Sequence, residues 1–111
     1  MRALLAVAWI FVSSTAHATF LTYSDWDRLS EDDRTLYIAG AFDVLASVSD
    51  TGDKEGKRLM HYRNCIELNS ITNRQLARNV HAYASNRPTD QRFSVPSILI
   101  RYLSEFCGLA P

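Results

Sequence analysis

Ser30-EDDRTLYIAGAFDVLASV-Ser49 is the stretch that decides the fold. Ser30 is a good helix N-cap, and Asp33 three residues on gives a capping-box pattern with the shorter acid. Glu31, Asp32 and Asp33 put three negative charges where the helix dipole favours them. From Leu36 to Val48 nearly every residue is apolar. Tyr37, Ala41, Val44, Leu45 and Val48 form one face, which Ile38 and Phe42 widen. Only Gly40, Asp43 and Ser47 interrupt, at spacings of three and four that stack them in one narrow stripe. A helix this apolar is expected to be surrounded by other helices. Gly40 then predicts a close helix–helix contact in which a Cβ would not fit, so that Gly40→Leu should unfold the domain. Asp43 would need hydrogen bonds or a cation. Either it anchors a backbone segment or pairs with an Arg such as Arg101, or it is a binding-site carboxylate.

The neighbouring segments carry helix signals of their own. Ser24-Asp25-Trp26-Asp27 repeats the S-x-x-D start, predicting one or two turns over Asp25–Leu29 with Trp26 and Leu29 facing the core. Trp26 is expected to close one end of that core rather than to serve as an exposed anchor. Ser49 to Lys57 has two glycines, charges of both signs and no apolar residue, the composition of a solvent loop. Lys57–Glu67 is predicted helical with Leu59, Tyr62 and Ile66 inward. Thr72 with Gln75 is a full capping-box pattern, and Ile71 with Leu76 fits the hydrophobic staple. That helix should run to about Ser85 with Leu76, Val80, Tyr83 and Ala84 on one face, ending before Pro88. The last helix opens near Ser94 with Pro96 in its first turn and Gly108 past its end. Ile98, Leu99, Tyr102, Leu103 and Phe106 are its apolar stripe. No period-two alternation is present, so the expected fold is all-α, a small orthogonal bundle of four to five helices.

Residues 1–18 read differently. A basic start at Arg2, an apolar run over Ala3–Val12 and Ala16-His17-Ala18 make a secretory signal peptide, with cleavage expected after Ala18. The run is too short to span a bilayer, which takes about 20 residues. Thr19 to Pro111 is then a single exported domain, expected in the periplasm. Its two cysteines, Cys65 and Cys107, allow one disulfide connectivity in an oxidising compartment. A metal site or a reactive thiol pair is the alternative, but there is no C-x-x-C and no His at ligand spacing. Twelve Lys and Arg balance twelve Asp and Glu over the chain. Such neutrality gives no reason to propose nucleic acid or an anionic membrane as partner. No H-E-x-x-H, G-x-S-x-G, P-loop or dinucleotide motif appears, so no catalytic, metal-binding or cofactor-binding residue is assigned and an enzyme is not expected. Asp32 and Asp33 are adjacent, point to different sides and serve the helix start. The expected contact surface is the charged loop, Gly52, Asp53, Lys54, Glu55 and Lys57, with the adjoining helix ends, since loops often carry recognition.

Tyr37-Ile38-Ala39-Gly40-Ala41-Phe42-Asp43 resembles the Y-[IV]-x-G-x-x-D helix of the Rap1a/Tai family of type VI secretion immunity proteins. The resemblance continues through Cys65-Ile66, Thr72 with Gln75-Leu76, Tyr83, Pro88 and Phe106-Cys107, covering about residues 36–108. The chain departs from the pattern where Trp26 stands in the region of an early Cys and where Phe106 precedes Cys107 in place of Pro. The resemblance implies a small, exported, helical, disulfide-bonded protein. Its partner would be a toxic cell-wall (peptidoglycan) amidase effector, blocked by occlusion with no chemistry of its own. Two alternatives are an acid-stress periplasmic chaperone, which must expose its core when carboxylates protonate, and a structural envelope protein or oligomer subunit. A homodimer would use an exposed part of the apolar face.

Overall fold

A computed structural model describes residues 20–110. Five α-helices lie among them: α1 (Tyr23–Asp27), α2 (Glu31–Val48), α3 (Lys54–Leu68), α4 (Asn73–Ser85) and α5 (Val95–Cys107). Short 3-10 turns cover Ser49–Thr51 and Asp90–Arg92. Thr22 and Ser94 form an isolated antiparallel bridge, and no strand occurs among the described residues. The expected all-α bundle is the fold found. The predicted signal peptide, residues 1–18, lies outside the described residues.

The helix starts follow the local chemistry. Ser30 Oγ accepts from Asp33 N at 3.2 Å. At α4 both halves of the capping box form: Gln75 N donates to Thr72 Oγ1 at 3.1 Å, and Thr72 N donates to Gln75 Oε1 at 2.9 Å. Ser94 caps α5, with Pro96 in its first turn. Two starts move. Thr22, not Ser24, caps α1, accepting from Asp25 N at 3.3 Å. Asp53 caps α3, accepting from Gly56 N at 2.7 Å, so that helix begins at Lys54 rather than Lys57. The expected Ser49–Lys57 loop therefore shrinks to Gly52 and Asp53. Ser49 is buried in the turn that continues α2, and Gly52 takes φ +74°, where a glycine costs least.

The core gathers Trp26, Ile38, Leu45, Leu59, Tyr62, Ile66, Leu76, Val80, Ala84, Val95, Ile98, Leu99 and Leu103. Trp26 is fully buried, as expected of a residue closing the core, and its indole N–H donates to Arg34 O at 3.2 Å. Leu29 is half-buried beside it. The inward residues of α3 and α4 are those the periodicity selects, with Ala77 added and Tyr83 only half-buried. Phe106 is 46% exposed and stacks on Tyr102 at 5.6 Å between ring centroids, so it caps the end of the α5 stripe instead of entering the core.

The largest difference concerns α2. Only Ile38 and Leu45 are buried, with Tyr37, Ala41 and Phe42 packed at the margin. Leu36 and Val44 are 69% and 65% exposed. The helix is not surrounded: α4, α3 and α5 meet one side of it, and among the described residues no element covers the other. When every side is apolar, periodicity has no contrast with which to choose a face.

Gly40 and Asp43 change meaning with it. A Cβ on Gly40 would meet nothing within 4 Å, so there is no close helix contact there and Gly40→Leu has room. Asp43 is exposed on α2. The pairing expected with Arg101 does not form, because Arg101 reaches Asp90 at 3.7 Å and stacks on Phe93 at 4.1 Å. Gly56 is the glycine that the packing requires. A Cβ there would fall against Thr51 Oγ1 and come within 3.2 Å of Asp53 Oδ1 and Val48 O.

Cys65 and Cys107 form a disulfide with Cα atoms 5.8 Å apart. It ties the last turn of α3 to the end of α5 and closes a loop worth roughly 4 kcal/mol in the chain-entropy model. His61 Nε2 lies 3.1 Å from Cys107 O and 3.2 Å from Gly108 O, adding a second tie at that corner.

These contrasts set opposite expectations for two glycines. Gly56→Ala should lower stability by about 1–3 kcal/mol as the turn is forced open. Gly40→Ala should raise it by about 0.5–1 kcal/mol through helix propensity alone. Urea titrations followed by circular dichroism measure both. Removal of the disulfide by Cys65→Ser with Cys107→Ser should lower stability by about 2–4 kcal/mol in the same titration.

Candidate functional site

The exposed side of α2 carries an apolar ridge. Leu36, Gly40 and Val44 recur every four residues and form one ridge. Phe20, Tyr37, Ala41 and Pro96 flank it, enclosing an open groove of about 460 Å³. Toward the C-terminal end of α2 the depression continues past Val48, Leu59, Leu99 and Ile100 as far as Glu55. Phe20 is 76% exposed. A run of large side chains left this open is the usual mark of a binding surface. Gly40 matters because it leaves a notch between Leu36 and Val44.

The orientation of α2 is fixed at its N-terminal end. Arg34 Nη1 donates to Leu29 O at 2.6 Å and Asp27 O at 3.2 Å, closing the turn from α1. From α4, Arg78 pairs with Glu31, and Arg74 reaches Asp32 at 2.6 Å and Glu31 at 3.6 Å. The first-turn acids therefore hold two helices together as well as answering the dipole. Hydrogen bonding to Arg78, followed by its charge and that of Arg74, holds the Glu31 carboxyl below its ordinary value of 4.5.

The segment singled out from the sequence has a defined place. Gly52 is the left-handed hinge, and Asp53 is committed to the α3 cap. The Gly56 N–H, then the Thr51 hydroxyl, hold the Asp53 carboxyl below its ordinary value. Lys54, Glu55 and Lys57 are exposed on the first turn of α3, where they rim a second depression shared with Arg58, Tyr62 and Leu109. Glu55 borders both this depression and the α2 groove. Of the motif residues, Tyr37 and Gly40 line the α2 groove and Asp43 stands exposed on the same helix.

One cluster escapes sequence reasoning because its members are 54 positions apart. His81 Nε2 lies 2.6 Å from Asp27 Oδ1, and its ring stacks on Tyr23 and tilts against Trp26. Ser85 Oγ sits nearby, but it donates to His81 O at 2.7 Å and meets Tyr23 OH at 2.8 Å. The hydroxyl is thus held by backbone and phenol, away from the imidazole, and the cluster fastens α1 to α4 without assembling a nucleophile–base pair. Among the described residues no group of His, Cys, Asp or Glu is placed to hold a metal ion. Nor is any helix among them long and apolar enough to cross a membrane.

Comparisons with family models, with curated proteins and with solved structures return no match to this chain.

The depressed Glu31 carboxyl has a definite pH signature. A folded-state value below the unfolded one contributes stability above about pH 4.5 that is lost as the pH falls through the folded value. Thermal melts between pH 7 and pH 3 should show this loss, and Arg78→Ala should flatten it. The wild-type and variant curves should converge at the acid end.

Proposed function

We propose that this protein is an exported binding protein that acts by covering a partner. The partner class is that implied by the Rap1a/Tai resemblance, a cell-wall amidase whose active cleft is occluded. The observation that carries the reading is the open apolar side of α2. Leu36 and Val44 are displayed on a helix whose opposite side is fixed in the core. Such side chains on a rigid element lose little entropy on binding and are suited to the dry centre of an interface. Tyr37 and Gly40, on which the resemblance rests, line the same groove. That placement supports a recognition role for them over a packing role. In this reading the notch at Gly40 admits a partner side chain, with Leu36 and Val44 on either side.

The acid-stress chaperone remains the runner-up. It draws on the Glu31–Arg78 pair, since protonation of Glu31 would remove one polar tie between α2 and α4. Apolar-dye binding separates the two readings: a sharp rise below about pH 3 favours the chaperone, and a flat response favours the occluding protein.

The occlusion reading is tested with the purified, oxidised chain and a cell-wall amidase effector encoded beside it. Added in equal amount, the chain should abolish hydrolysis of peptidoglycan. Gly40→Leu has the space to fold normally, yet it fills the notch and should weaken inhibition by about thirtyfold or more, the scale of an interface hot spot. Full inhibition by a folded Gly40→Leu variant would show that the α2 groove is not the contact.

A further inference from the structure

The second depression has a chemistry distinct from the α2 groove. It lies between the first turns of α3 and the end of α5, with an open volume of about 860 Å³. Lys54, Lys57 and Arg58 supply its charge. Tyr62, Leu109 and Ala110 supply apolar wall, and Ser104 lies among them. Lys54 and Lys57 are exposed and make no ion pair with any described residue. Three cations thus face one lining carboxylate, Glu55, in a chain whose overall charge is zero. The excess is local.

Arg58 is only partly satisfied. It pairs with Glu55 through Nη2 alone, its Nε is buried without a hydrogen-bond partner, and its guanidinium carbon lies 5.9 Å from the Tyr62 ring centroid. A guanidinium is built to offer two parallel N–H groups to one carboxylate. Glu55, three residues away on the same helix, takes only one of them. Its carboxylate is 56% exposed, so the pair is open to competition from solvent and ligand.

We propose that this groove binds an acidic peptide segment. Ligand carboxylates lie against Lys54 and Lys57, one of them replaces Glu55 on Arg58, and apolar ligand side chains rest on Tyr62 and Leu109. The volume and the apolar wall favour a peptide over a bare inorganic anion, which would leave most of the groove unfilled. Glu55 acts as an internal competitor that keeps the guanidinium occupied when no ligand is present. The site shares Glu55 with the far end of the α2 depression but none of Leu36, Gly40 and Val44, so it holds whether or not the partner is an amidase.

Fluorescence anisotropy of a labelled Glu-Glu-Leu-Glu peptide, added to the full oxidised chain at low salt, reads the site directly. Binding should weaken as salt rises past about 0.1 M, where the screening length falls to about 10 Å. Lys54→Glu combined with Lys57→Glu should weaken it by about tenfold or more. Glu55→Gln, which removes the competitor, should strengthen it severalfold. That gain is an effect that general surface charge does not foresee at this size. Arg28→Glu combined with Arg92→Glu, the same charge change on exposed residues elsewhere, should leave binding within twofold, and Gly40→Leu should bind as the parent does. No binding, equal loss in the two double variants, weaker binding by Glu55→Gln, or equal displacement by inorganic phosphate and by unlabelled peptide would each overturn the proposal. Because Gly40→Leu leaves this groove intact, failure of amidase inhibition and failure of peptide binding are separable results.

Discussion

A helix apolar on every side can bury only one of them in a domain this small, and that constraint shapes the molecule. Ile38 and Leu45 go inward, each contributing about 1.5–3 kcal/mol on burial. Leu36 and Val44 are left in solvent, because α3, α4 and α5 all pack on the same side. The rotation that selects this outcome is set at the start of the helix. The Glu31 and Asp32 pairs with Arg74 and Arg78 are exposed and screened by solvent, too weak to hold the fold by themselves. With both arginines on α4, they favour the rotation of α2 that the core burial of Ile38 and Leu45 selects. The Trp26 indole bonded to Arg34 O, and the Arg34 guanidinium closing the turn from α1, fix the same rotation from the other side.

The far end of the domain is held by different means. The disulfide joins α3 to α5, and His61 reaches the same corner. Between the two ends, Gly56 lets the first turn of α3 settle against Thr51 and the last carbonyls of α2. The α2 ridge is therefore braced at both termini. A surface held in this way needs no ordering on contact, a cost that would otherwise offset much of the affinity gained there.

Much of this was legible in the amino-acid order. Ser30, Thr72 and Ser94 announce their helices because a side-chain cap is a local event, complete within four residues. Cys65 and Cys107 allow one pairing. The inward faces of α3 and α4 follow from the contrast between apolar and polar positions. Where that contrast vanishes, in α2, the periodicity names a helix and cannot orient it, and the packing role that Gly40 suggests belongs to Gly56. The start of α3 was hidden because Asp53 lies in a run of charges that reads as solvent loop until its bond to Gly56 N is seen. The Asp27–His81 pair and the Arg58 groove depend on residues brought together by the tertiary fold, and no local spacing announces them. In the segment expected to make contact, Lys54, Glu55 and Lys57 line a depression, while Gly52 and Asp53 shape the turn.

Glu55 links the two surfaces. It closes the far end of the apolar groove and, on its other side, holds Arg58 in the basic one. A partner that seats apolar side chains along Leu36 and Val44 and extends past Val48 meets this carboxylate first. The apolar part would supply most of the affinity, since burial scales with area and is insensitive to salt. The cationic part would supply register and discrimination, since a mismatched charge there costs more than a matched one gains. A neutral chain can thus bind selectively while carrying no long-range field, because its charge is sorted locally around one arginine and one displaceable glutamate.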